Sequence, residues 1–181
     1  MTIYFGDGSS QTAAGLAGAG KVLQVVSCTK TDAYSTTSED SWGDIPGTDQ
    51  NGSGSIWCVK ITPASSSNKI WVSAYFQGMG SVNDQTYGRL ARGSTGLNIA
   101  DAAGNRLRAG ATGYYNNNIS APVQKFDFLD SPSSTSELTY KAQMYSYNSD
   151  TTWINRTGRD SNNTASDARF SCTITVMEVS G

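Results

Sequence analysis

Histidine does not occur among the 181 residues. Its absence excludes any Ser-His-Asp or Cys-His catalytic arrangement and any His-ligated zinc or iron centre. Cysteine is nearly as scarce. Cys28, Cys58 and Cys172 are odd in number, far apart, and never in C-x-x-C spacing. Each lies in an apolar, strand-like stretch and reads as a small buried thiol rather than a disulfide partner or a metal ligand. Charge is sparse as well: 15% of residues are charged and the net charge is −2. That leaves no basic field for nucleic acid and no acidic tail. No stretch approaches the roughly 20 apolar residues of a membrane helix. The opening M-T-I-Y-F-G-D-G has neither the basic nor the apolar segment of a signal peptide, so export by that route is not expected. Helical spacing of apolar residues never persists, which disfavours long helices.

What the chain has instead is small polar residues and regular alternation. Glycine counts 19, and hydrophobic residues make up 37% of the chain. Such a chain suits short strands joined by tight turns and is too apolar for overall disorder. At this length one domain plus a tail is expected, burying roughly 70% of the unfolded surface without help from metal or disulfide.

The organising stretch is Ser55–Gly78. Trp57, Val59 and Ile61 alternate with Cys58, Lys60 and Thr62, and a polar turn at 63–68 follows. Then Ile70, Val72, Ala74 and Phe76 share one face, while Trp71, Ser73 and Tyr75 share the other. A strand apolar on both sides is either central or covered by another chain, so Trp71 and Tyr75 are candidate subunit-interface residues. Further strands are expected at 21–29, 31–37, 85–92, 105–115, 122–129, 137–147, around 151–156, and 169–179. Residues 39–54 read as a long loop carrying Trp42, and residues 93–104 as a connector. The default architecture is an all-β antiparallel sandwich or jelly roll of about eight to ten strands.

Residues 1–20 stand apart from the head domain at 21–181. Ile3, Tyr4 and Phe5 form an apolar tip on a Gly/Ala/Ser tether, which extended reaches roughly 65 Å. An anchoring arm is expected, because such a tip is costly to leave in water. Tyr114-Tyr115-Asn116-Asn117-Asn118 reads as an exposed polar-aromatic loop, because two aromatics and three amides in a row cannot all be core. Trp153, followed directly by Ile154, reads as core. Arg89, Arg92, Arg106 and Arg108 read as sheet-surface charge facing carboxylates.

Several strings in order suggest a relationship. They are F-G-D-G-S-S-Q near the start, G-K-V-L-Q-V-V-S at 20–27, S-T-T-S at 35–38, I-T-P-x-S-S-S-N-K-I at 61–70, F-L-D-S-P at 128–132, I-N-R at 154–156 and T-I-T-V-M-E-V at 173–179. Together they resemble a family of small tail-fibre-like virion proteins of tailed bacteriophages, many of them aquatic or marine. The resemblance implies a virion structural role, homotrimers with jelly-roll-like heads, and docking of the N-terminal arm on other virion proteins. Shortness is the departure: no heptads or repeats exist to build a shaft.

On that reading the loops, with Trp42, would contact a host-surface glycan, since aromatic rings stack on sugars while amides and hydroxyls bond their hydroxyl groups. A capsid-decorating protein and a free-standing carbohydrate-binding module remain open as alternatives. Catalysis is not expected. Paired-carboxylate hydrolysis needs two carboxyls across a cleft, and neither Asp127 with Asp130 nor Glu39 with Asp40 is singled out. No cofactor is expected.

Overall fold

The computed structural model describes residues 2–4, 10–12, 20–37, 40–81, 85–114, 121–147 and 151–181. The described residues form fourteen strands in order: β1 (Thr2–Tyr4), β2 (Ser10–Thr12), β3 (Val22–Lys30), β4 (Tyr34–Thr36), β5 (Trp42–Asp44), β6 (Cys58–Ile61), β7 (Lys69–Gln77), β8 (Thr86–Arg92), β9 (Thr95–Leu97), β10 (Ala111–Gly113), β11 (Val123–Asp130), β12 (Leu138–Ser146), β13 (Thr152–Ile154) and β14 (Cys172–Val179). No helix occurs among the described residues.

Two antiparallel sheets carry the body. One is ordered β11-β7-β14-β3. The other is ordered β10-β8-β12-β5, with β6 also paired to β12 and β9 to β8. β5 and β6 lie against different stretches of β12, so they act as one strand broken by the chain between them. Counted that way, the eight main strands follow a jelly-roll path. The first, eighth, third and sixth form one sheet; the second, seventh, fourth and fifth form the other. Two short pairs, β1–β2 and β4–β13, stand outside the main sheets.

Alternation explains the layering. Ile70, Val72, Ala74 and Phe76 of β7 point inward and are fully buried, as are Ile174 and Val176 of β14. They meet Val59, Leu90, Tyr140 and Ala142 from the other sheet in one hydrophobic cluster. Trp57 packs edge-on to Phe76 at 5.7 Å between ring centroids, and Phe76 meets Phe126 at 4.9 Å. All three cysteines are buried and free. Cys172 donates to Asn155 Oδ1 at 2.6 Å, and burial pushes its thiol up to about 12. Trp153 is buried, as its apolar neighbour suggested.

Two buried carboxylates arrive with partners, as burial requires. Asp130 accepts from Tyr140 Oη at 2.6 Å and from Arg92 Nη1 at 2.5 Å. Glu178, fully buried, accepts from Gln24 Nε2 at 2.6 Å, Ala64 N at 2.7 Å and Asn68 Nδ2 at 2.5 Å.

Three local expectations change. Of the expected strand 105–115, the described residues 105–114 are strand only at β10; residues 100–108 are exposed throughout. A lone Leu107 between two arginines gives a sheet nothing to bury, and a turn closes from Arg106 N to Ala103 O. The expected loop 39–54 contains β5, whose three residues are strand because β12 supplies the partner. The connector 93–104 contains β9, which turns back on β8 at Gly93, where φ is 55°. In the arm, Thr2–Tyr4 pairs antiparallel with Ser10–Thr12, so the tether is partly strand.

Candidate functional site

A sandwich has two outer faces, and here they differ in chemistry. Turning Tyr140, Ala142 and Met144 inward sends Lys141, Gln143 and Tyr145 of β12 outward. Register then builds rows across the six-stranded sheet. Thr112 faces Tyr87, Tyr87 faces Tyr145, and Tyr145 faces Trp42, so one row crosses β10, β8, β12 and β5. Tyr145 lies 5.5 Å from Trp42 and 6.2 Å from Tyr87, both tilted or edge-on. Such ring pairs each add about 0.5–1.5 kcal/mol beyond the area they bury.

The next row is polar. Gln143 stands between Arg89 and Asp44, accepting from Arg89 Nε at 2.8 Å and donating to Asp44 Oδ1 at 2.7 Å. Lys141 Nζ reaches the other oxygen of Asp44 at 2.6 Å. Arg89 closes the arrangement over the first row, its Cζ 4.2 Å from the Trp42 ring centroid. Burial lowers the Arg89 pKa, with Asp44 opposing. The Tyr145 phenol is pushed up by burial and by its 3.0 Å hydrogen bond to Asp40. These contacts fix the rings and the amide in place before any ligand arrives, which reduces the entropy cost of binding.

Of the predicted contact residues, Trp42 lies in this row. Tyr114, 57% exposed, directly follows β10 at the same end of the sheet. Tyr115, Asn116, Asn117 and Asn118 lie outside the described residues, as does Phe5. Ile3 and Tyr4 are placed in β1 by their backbone. Sequence reading did not single out Tyr87, Gln143 or Tyr145, and it assigned Arg89 to a carboxylate rather than to the Trp42 ring. Parity along β12 offered Gln143 and Tyr145; only register brings them beside β5 and β8.

The outer face of the four-stranded sheet is different. Leu129 faces Trp71, Trp71 faces Met177 and Met177 faces Val25, an apolar row across all four strands. Val25 is 56% exposed, Leu129 48% and Trp71 39%, and Leu23 is exposed nearby on β3. Asp127, Ser73, Thr175 and Ser27 form the next row, and Lys125, Tyr75, Thr173 and Thr29 the one after. Trp71 and Tyr75 are thus brought onto one face, with the Asp127–Ser73–Thr175–Ser27 row between them.

Of the carboxylate pairs considered from sequence, Asp127 and Asp130 are not brought together. Asp127 points outward to Lys125 at 2.9 Å, whereas Asp130 points inward to Arg92 and Tyr140. Glu39 lies outside the described residues. Among the described residues no group of three or more His, Cys, Asp or Glu is placed to hold a metal ion. No known protein-family model matches the chain, and no curated protein is significantly similar to it.

Proposed function

We propose that this chain is a structural protein of a bacteriophage virion, the jelly-roll head of a homotrimeric tail-fibre or tip protein. In this reading the N-terminal arm docks on other virion proteins, the outer face of the four-stranded sheet joins the subunits through its apolar row, and the polar-aromatic face of the six-stranded sheet contacts host-surface glycan. The observation that carries the proposal is the division of labour between the two faces of one sandwich. Across the four-stranded sheet runs Leu129–Trp71–Met177–Val25, a surface that water disfavours. Across the six-stranded sheet runs Trp42–Tyr145–Tyr87, buttressed by Arg89 and Gln143. Protein–protein interfaces favour the first chemistry at their centre, and sugar recognition favours the second.

Imaging of intact particles carrying a labelled copy of this protein tests the role directly. Density at the tail or tail tip is expected. Density at the capsid symmetry axes would make it a decoration protein, and no density on the particle would remove it from the virion. Deleting residues 1–20 should leave the oligomer intact and abolish incorporation; normal incorporation would discard the docking arm.

A further inference from the structure

The four-stranded sheet is open, and its outermost strands are β11 and β3. Which backbone groups they turn outward follows from one hydrogen bond. Gly78 N donates to Pro122 O and extends the β7–β11 ladder, so even-numbered residues of β7 bond β11 and odd-numbered ones bond β14. Carried through the register, this alternation turns the even-numbered residues of β14 and β3 toward each other. The N–H and C=O groups of Val25, Ser27 and Thr29 are left on the free edge of β3. Those of Lys125, Asp127 and Leu129 are left on the free edge of β11. Among the described residues none of these groups meets another backbone group. All six residues also point their side chains to the outer face, so a strand pair formed between the two edges continues that face rather than reversing it. Directions agree as well, because successive strands of this sheet are antiparallel and β3 runs opposite to β11. From Val22 to Thr29, β3 carries neither charge nor proline, the devices that keep lone edges apart. β11 carries Lys125 and Asp127, which neutralise each other at 2.9 Å. The apolar row runs out at both edges, at Val25 on one and Leu129 on the other.

We propose that the occupant of each free edge is a second copy of this chain, β3 of one subunit pairing antiparallel with β11 of the next. Three four-stranded sheets then close into a ring, with their Leu129–Trp71–Met177–Val25 rows joined end to end on its inner side. The inference rests on the subunit-joining reading of the four-stranded sheet and supplies the contact that makes it. The pairing is heterologous, so every copy satisfies both of its edges only when the ring closes. A two-fold pairing of β3 with β3 would leave every β11 edge open.

Proline caps on the full chain test the pairing. Ser27→Pro removes an N–H that the subunit's own ladder does not use, and Asp127→Pro does the same on β11. Each variant, folded by circular dichroism, is expected at single-chain mass by light scattering. Mixed in equal amounts they should form a two-chain species, because each supplies the edge that the other lacks. A cysteine pair gives a readout independent of proline. The chain carrying both Ser27→Cys and Asp127→Cys is treated with a bis-maleimide shorter than the roughly 14 Å that separates these positions across one sheet. Covalent species of up to three chains are expected on a denaturing gel, and neither single substitution should cross-link. The native thiols are buried and stay out of the reaction. Trimers that persist in both proline variants, with no cross-link in the double-cysteine chain, overturn the edge pairing and leave the face contact standing. Ser27→Cys cross-linking to itself overturns it in favour of a two-fold. Wild type at single-chain mass overturns both the edge pairing and the subunit-joining reading.

Discussion

Arg89 lies over the ring of Trp42, its guanidinium carbon 4.2 Å from the ring centroid, and the same side chain donates through Nε to Gln143. The stack joins the aromatic and polar rows of one sheet face, so disturbing either residue loosens both.

Trp42→Ala should therefore cost stability as well as binding. It removes the Tyr145 ring pair and the Arg89 stack, together worth about 1–3 kcal/mol. Urea titration should show the midpoint falling with little change in slope, and glycan binding should drop further than the stability loss explains. Arg89→Lys keeps the charge but loses the planar stack, and is expected to fall between wild type and Trp42→Ala.

Asp130, on the four-stranded sheet, holds two side chains of the other sheet. Its carboxylate serves both Tyr140 Oη and Arg92 Nη1. Asp130→Ala strands a partly buried guanidinium and a buried phenol, so a loss of about 3–5 kcal/mol is expected. Tyr140→Phe removes only one neutral donor and should cost about 1 kcal/mol. Denaturant unfolding of the two variants compares them; equal losses would contradict the assignment of the carboxylate as the shared partner.

Glu178 sets a pH dependence. Burial pushes its carboxyl up, but donors from Asn68, Gln24 and the backbone of Ala64 and Ser65 outweigh that and hold its pKa below the usual 4.5. A carboxyl lowered in the folded state stabilises fully above its unfolded pKa, and that contribution is lost as pH falls through the folded value. Thermal melts should therefore lose stability below about pH 4.5. Glu178→Gln should be less stable at neutral pH and show a shallower acid limb; an unchanged acid limb would contradict the role.

Thiol chemistry offers a simple check on the core. Cys28, Cys58 and Cys172 are buried and free, and burial raises the pKa of each. A thiol reagent at pH 8 should label none of them in the native protein and all of them in denaturant. Rapid native labelling would place a cysteine on the surface.

The layers were legible in the sequence because alternation is a local property. Ile70, Val72, Ala74 and Phe76 against Trp71 and Tyr75 sorted themselves into inner and outer faces before any partner strand was known. Register was not legible, because it depends on which strand lies beside which. Tyr145 alone is a surface tyrosine; beside Trp42 and Tyr87 it is the middle of a platform. Short strands such as β5 and β9 escaped for the same reason, since three residues carry too little pattern and owe their conformation to β12 and β8. Residues 105–115 misled because Arg106, Leu107 and Arg108 imitate alternation with only one apolar member.

Light scattering of the purified protein, with Trp71→Glu alongside, tests the central claim that the four-stranded sheet joins subunits through its outer face. Wild type is expected at the mass of three chains, and Trp71→Glu, folded by circular dichroism, at the single-chain 19.2 kDa. A wild-type protein at single-chain mass, or a Trp71→Glu variant that stays assembled, would contradict it.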